Sequence, residues 1–555
     1  MIPDLWYKNA IIYSLSLDSF LDADGDGVGD FRGAMRRLDY LQGLGVSAVW
    51  LAPFQPSPRR DHGYDVADYY GVDPRYGSFG DFVEFVNACR QRGMRVIMDL
   101  VLNHCSDQHP WFRAALEDPD SKYRDYFIWA DEKPEDAHEG VVFPGVQEST
   151  WTFSPEVGAW YFHRFFEFQP DLNIANPAVQ AEILKIVGFW LQLGVSGFRM
   201  DAVPFLIAAD GINVSNPEPA YDLLRNIRAM AQWRKGDAVL LAEANIQPSE
   251  AIEYFGEDGD RLHMVFNFPV NQTLFYALAT GDAAPLKDAL RTGPDLPETA
   301  QWANFLRNHD ELDLGRLSEA QRACVFEQFG PDPDMQIYDR GIRRRLAPML
   351  DAERTRMELA YSLMLTLPGT PVLRYGDEIG MGDDLTRPER DAVRTPMQWS
   401  DGPNGGFSLS PEPCNPPIST GPYGFEKVNV AKQRSDRDSF LNWTERSIRL
   451  RKELPEVGRG RCTVLDSPDT TLALRFDWEG LGSIFIHNLA EEAAEFSLNC
   501  LEEPPNDGDL VCLQTNARSK ADANGHYHFS LEPLGYRWFR FGGLDELIQP
   551  PGVQH

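Results

Sequence analysis

Short apolar runs alternate along most of this chain with longer stretches of helical period. The runs cover residues 10–17, 46–51, 96–102, 195–201, 238–243, 264–268, 303–309 and 371–375. Each is brief and bounded by Gly, Pro or polar residues, as buried strands are. Between them lie amphipathic stretches such as 81–91 and 179–193, whose apolar positions recur at the spacing of a helix packed on a sheet. Eight strands with intervening helices predict a (β/α)8 barrel, an α/β fold that carries its chemistry at the C-terminal ends of the strands. Two stretches break the alternation. Residues 105–170 are aromatic and rich in Pro, Asp and Glu, and predict an insertion after the third strand. Residues from about 317 to 350 predict another after the seventh. From about 456 onward, alternating runs such as Leu472-Ala473-Leu474-Arg475-Phe476 and Ser483-Ile484-Phe485-Ile486 predict a C-terminal antiparallel β-sandwich. The expected division is 1–104 and 171–455 for the barrel, 105–170 for the inserted unit and 456–555 for the sandwich.

Composition narrows the class of partner. The 555 residues carry 84 Asp and Glu against 52 Lys and Arg, a net charge of −32. These acids are scattered, so the surface favours solubility and repels nucleic acid and anionic membranes. Seven cysteines, odd in number and widely spaced without a CxxC pair, predict no disulfide framework and fit a reducing compartment. No apolar run is long enough to span a bilayer, and residues 1–6 lack the basic and apolar regions of a leader. The expectation is a cytoplasmic enzyme that associates with neither membrane nor nucleic acid; homo-oligomerisation stays open.

Candidate chemistry sits at the ends of the runs. Gly197-Phe198-Arg199-Met200-Asp201 puts a carboxylate at a strand mouth with an arginine two residues before it, a charge partner that holds the acid ionised. Glu243 closes the run 238–242, and Asp310 follows Asn308-His309. Three strand-end carboxylates are the minimum for retaining glycosidic chemistry: a nucleophile, an acid/base and a third that grips the sugar. Elsewhere, the loop from Asp22 to Asp30 offers oxygen ligands at Asp22, Asp24, Asp26, Val28 and Asp30 around glycine hinges, which suits a hard cation such as Ca²⁺ in a structural role.

The motifs Asn103-His104, Gly197-Phe198-Arg199-Met200-Asp201, Glu243 and Asn308-His309-Asp310 occur in the order and context of the α-amylase superfamily, glycoside hydrolase family 13, and the chain resembles that family over nearly its whole length. The stretches 106–112, 163–166, 169–173, 341–348 and 376–383 resemble its trehalose-synthase group, which interconverts maltose and trehalose. The resemblance implies that the inserted unit is the family's B domain. It makes Asp201 the nucleophile, Glu243 the acid/base and Asp310 the residue that holds the sugar's hydroxyls, with His104 and His309 donating to hydroxyls and Arg199 orienting Asp201. Phe166 and Gln169 would add to the substrate-binding set. Tyr64 would lie under the first glucose, and Asp65 with Arg394 would clamp its far end and close the pocket. A second Ca²⁺ site would use Asn103 and Asp171, but the group's completing glutamate is replaced by Ala208. No organic cofactor is implied.

The same resemblance implies a gate: an arginine in the B domain pairs with a glutamate five residues after the third carboxylate. Here those positions are Gly140 and Gly315, and a tyrosine of the group is Phe205. These departures predict a wider mouth and substantial hydrolysis beside transfer to a sugar or small-alcohol acceptor. The expected activity is retaining α-glucosyl transfer on maltose- or trehalose-sized sugars. The alternatives are an α-glucosidase, a transglucosylase with another acceptor, and an inactive barrel serving as a binding subunit, as in amino-acid-transporter heavy chains. The intact carboxylates argue against the last.

Overall fold

All eight predicted runs form strands: β1 (Ile12–Leu15), β2 (Ala48–Leu51), β3 (Arg95–Leu100), β4 (Gly197–Met200), β5 (Val239–Ala242), β6 (Met264–Phe266), β7 (Gln301–Phe305) and β8 (Thr370–Arg374). The computed structural model describes residues 5–208, 220–500 and 509–541; part of the stretch 1–6 and the last residues of the expected sandwich lie outside it. Each strand pairs in parallel with the next, and β8 pairs with β1 to close the barrel.

Closure separates two apolar cores. Side chains alternate across a strand, so Val239 and Leu241 of β5 fill the barrel with Ile12, Trp50, Ile97 and Phe305. Leu240 and Ala242 pack outward among the helices. The same parity governs the polar residues. On β3, Met98 and Leu100 face outward, as do Phe198 and Met200 of β4. Asp99 and Arg199, which are register partners, therefore point inward. Extending the alternation past the strand ends brings Asp201 and Glu243 onto the inner wall at the mouth.

The outer helices start where their sequences say they should. Phe79–Gln91 begins at Ser78, whose hydroxyl accepts from the Asp81 backbone while Asp81 reaches back, a capping box. Pro177–Gln192 begins at Asn176 with Pro at its first turn. The insertion after β3 carries a three-stranded antiparallel sheet, Trp129–Ala130, Ala159–Phe162 and Trp151–Ser154. Its ends are tied at the strand mouth by pairing of His104 with Asp171. After β7 come a small sheet (Leu312–Asp313, Gln336–Ile337, Gly341–Ile342) and the helix Glu319–Phe329. A six-stranded and a two-stranded antiparallel sheet follow the barrel. They dock onto it through the buried indole of Trp538, which donates to Ser362 Oγ at 2.8 Å. Among the described residues no helix is long and apolar enough to cross a membrane.

Candidate active site

At the C-terminal mouth of the barrel lies a cavity of about 430 Å³, within the size range of small-molecule sites. Asp201, Glu243, Asp310, Tyr64, His104 and His309 all line it. Its floor is organised by one guanidinium. Arg199 Nη1 contacts Asp201 Oδ1 at 2.6 Å and Asp99 Oδ1 at 2.7 Å, while Nη2 contacts Glu243 Oε2 at 2.6 Å. Arg199 is 1% exposed, so three carboxylates share one buried positive charge. Together they carry more negative charge than Arg199 offsets, which favours protonation of one of them.

The environment ranks where that proton sits. Burial pushes Glu243 up to about 7; Arg199 pulls it down, and the charges of Asp201 and Asp310 push it up again. Burial also raises Asp201 and Asp99, but less far. Glu243 is thus the more readily protonated of the two, the order that an acid beside a nucleophile would need. For Asp310 burial would raise the pKa, but His309, Arg390 and Arg394 outweigh it and hold the carboxyl well below the usual range. With His309 itself pushed well down by burial and neutral, the guanidinium contacts at 2.8 Å (Arg390) and 2.9 Å (Arg394) dominate.

Tyr64 links the two sides of the floor. Its hydroxyl donates to Asp99 Oδ2 at 3.0 Å and meets His309 Nε2 at 2.7 Å, and its ring stacks on His309 at 5.5 Å. His104 departs from the expected role. Its Nε2 lies 3.0 Å from the Tyr64 carbonyl, which only accepts, so that N–H is already committed. Nδ1 faces the Asn103 amide at 3.3 Å. Burial lowers its pKa to about 4, and the neutral ring presents a surface to the cavity, not a free donor.

The expected clamp forms from different residues. Asp65 is fully buried away from the cavity, accepting from Ser57 Oγ at 2.7 Å and the Arg60 backbone at 3.0 Å. Arg394 reaches Asp310 and the His309 carbonyl from behind the cavity wall. Asp61 and Arg390 line the cavity in their place. Arg390 spans Asp310 Oδ1 at 2.8 Å and Asp61 Oδ1 at 3.3 Å. Gln169 acts one step back, donating to Asp61 Oδ2 at 3.0 Å. Phe166 stacks on Phe143 at 4.9 Å, while its neighbour Phe165 faces the cavity with Phe143, Phe205 and Phe268.

Neither candidate gate glycine lines the cavity, and an arginine lies against each. A Cβ on Gly140 (φ +69°) would come within 2.0 Å of Arg164 Nη1, which donates to the Gly140 carbonyl at 2.9 Å. A Cβ on Gly315 would lie 3.2 Å from Cδ of Arg340. Arg340 crosses the mouth to the Val142 carbonyl of the B domain at 3.1 Å, so the vacated space is filled and the ground for a wide mouth disappears.

Asn103, Asp171 and Ala208 do surround one small cavity, of about 10 Å³, but Arg164 lines it as well. Asp171 is the single carboxylate there and accepts from the Arg164 backbone at 2.9 Å. A guanidinium beside one acid does not fit a divalent cation, so the second Ca²⁺ site is withdrawn.

Sequence reading missed Asp99, Asp61, Arg390, Glu311 and Arg340. Asp99 had a signal: it is an acid within an apolar strand, at inward parity and level with Arg199. The others stand on aperiodic loops and had none.

A closed parallel barrel with paired carboxylates sharing a guanidinium at its strand ends defines a barrel enzyme of glycosidic chemistry. The alpha-amylase model (alpha amylase, catalytic domain) matches residues 12–325 and 342–460, passing over 326–341. The chain belongs to the α-amylase family. It is 44% identical over 563 residues to the trehalose synthase/amylase TreS of Mycobacterium tuberculosis, covering 98% of this chain and 92% of that protein. It is 42% identical over 553 residues to the trehalose synthase of Thermus thermophilus, covering 99% of this chain and 56% of that one. Among solved structures, the trehalulose synthase MutB of Pseudomonas mesoacidophila superposes with a TM-score of 0.75 at 26% identity, over 96% of this chain and 99% of the other.

Proposed function

We propose that this chain is a retaining α-glucosyl-transferring enzyme acting on α-glucosides of maltose and trehalose size, of the trehalose-synthase kind. The observation that carries the reading is the shared guanidinium. Asp201 and Glu243 bind adjacent nitrogens of Arg199, which suits the close carboxyl spacing of a retaining pair, about 5–5.5 Å, over the wider spacing of an inverting one. Asp201 attacks the anomeric carbon as Glu243 gives its proton to the departing oxygen. A sugar hydroxyl or water then attacks the glucosyl ester, losing its proton to Glu243 and releasing Asp201. Arg390, held between Asp61 and Asp310, closes the end of the cavity that receives the transferred glucose and favours small, exo-cleaved substrates. The relatives whose names join synthase and amylase activities support the same balance of transfer and hydrolysis.

Incubation with maltose, followed by NMR, tests the reading. Trehalose and glucose signals are expected; glucose alone would make the chain an α-glucosidase, and unconsumed maltose would refute both.

For the Asp22–Asp30 loop the proposal is a structural Ca²⁺. Carboxylate oxygens of Asp22, Asp24 and Asp30 lie within 4.8 Å of one another, a hard-oxygen set that fits the ion. Asp26, which accepts from the Val28 N–H at 2.8 Å, lies outside that group of three. An ion bound only by the native state raises its melting temperature. A chelator is therefore expected to lower the melt by several degrees while initial rates change little; an unchanged melt removes the site.

A further inference from the structure

The side of the cavity facing the incoming acceptor carries a polar latch whose cation comes from a stretch that the family match passes over. Arg340 lies in the unmatched stretch 326–341, and its backbone is fixed by a hydrogen bond from Leu314 N to its carbonyl at 2.9 Å. From there the guanidinium reaches three groups: the Val142 carbonyl at 3.1 Å, Asp313 at 3.6 Å and Glu311 at 3.7 Å. All three residues line the cavity. Asp313 in turn accepts from Asn245 at 3.2 Å, two residues beyond the acid/base. The next B-domain residue is held as well: the Phe143 ring lies 5.0 Å from that of Tyr338, which is also in the unmatched stretch, and 5.0 Å from the Arg390 guanidinium.

We propose that Arg340 is a positioning residue that latches Val142 and Phe143 over the acceptor side of the cavity, and so sets whether a released glucose or water attacks the glucosyl-enzyme. The inference rests on the glucosyl-transfer reading above. Its physical basis is that Val142–Phe143 is gripped both by a charged hydrogen bond from Arg340 and by ring contacts at the mouth. Glu311 and Asp313 lie beside the negative Asp310, and Arg340 is the cation that faces both. Removing it leaves acids repelling one another where the latch had stood. Both competing exits break the same bond, C1 to Asp201, and both pass a proton to Glu243; they differ only in whether the attacking oxygen belongs to a held sugar or to water. A tenfold change in their ratio corresponds to about 1.4 kcal/mol.

The test has two arms. Arg340→Met keeps the length of the side chain without its charge, and Arg340→Lys keeps a cation that is unable to serve the carbonyl and both carboxylates together. With maltose and ¹³C-glucose, the ratio of label entering disaccharide to maltose hydrolysed is expected to fall about tenfold in Arg340→Met and less in Arg340→Lys. Hydrogen exchange on the substrate-free proteins is expected to quicken at residues 142–143 in the same order, because local protection reports local opening. Unchanged exchange overturns the latch, and faster exchange with an unchanged ratio overturns its control of the acceptor. A wild type that leaves maltose untouched refutes the transfer reading, while the exchange arm still decides the latch.

Discussion

The two sides of the cavity are made by different means. The side proposed to take the transferred glucose stands largely on strand ends: Arg199, Asp201 and Glu243 follow the inward parity of β4 and β5, whose register the closed barrel fixes. The side proposed for the acceptor is assembled from segments that meet across a gap: Val142 and Phe143 come from the B domain, and Glu311, Asp313, Tyr338 and Arg340 from the segment after β7. Chemistry that must not move is placed on the closed sheet, and selectivity is placed where single contacts can be exchanged without disturbing the barrel.

The sharpest way to break this comparison is at the seam, where Arg390 joins a loop acid, Asp61, to the third carboxylate. Arg390→Met removes the cation between Asp61 and Asp310 and is expected to lower kcat/KM about 10²-fold, the scale of a misplaced reacting geometry. Asp65→Asn is expected to lower the melting temperature but change kcat/KM by less than about threefold. If the two variants are equally damaged, the clamp belongs to Asp65 and the assignment of Asp61 is wrong.

A smaller effect sharpens the strand side. On the proposed roles, activity needs Asp201 ionised and Glu243 protonated. Rate is therefore expected to rise with pH as Asp201 loses its proton and to fall as pH passes about 7, where Glu243 loses its own. Glu243→Gln is expected to abolish the alkaline limb on substrates whose leaving group needs no acid. An alkaline limb that persists in that variant would assign it to another group.

The same division explains what was legible in the sequence. Strands β1 to β8 were found because apolar runs and parity are periodic signals, and Asp201, Glu243 and Asp310 were found because they end those runs. Asp99 was overlooked although it carried the same signal. The clamp was misread by four residues on both partners, Asp65 for Asp61 and Arg394 for Arg390. In a loop without a repeat, nothing local tells which of two nearby acids faces the cavity. The gate failed for a related reason. The absence of side chains at Gly140 and Gly315 was visible, but Arg164 and Arg340, which lie against the two glycines, approach from 24 and 25 residues away along the chain.

That filling makes the two glycines dependent on their neighbours. A Cβ at Gly140 would meet Arg164 Nη1 in a left-handed backbone conformation, and a Cβ at Gly315 would press on the Arg340 stem, so installing the pairing inferred for related chains requires both arginines to shift as well. The mouth is in this sense epistatic: what a side chain does at either glycine depends on the arginine that lies beside it.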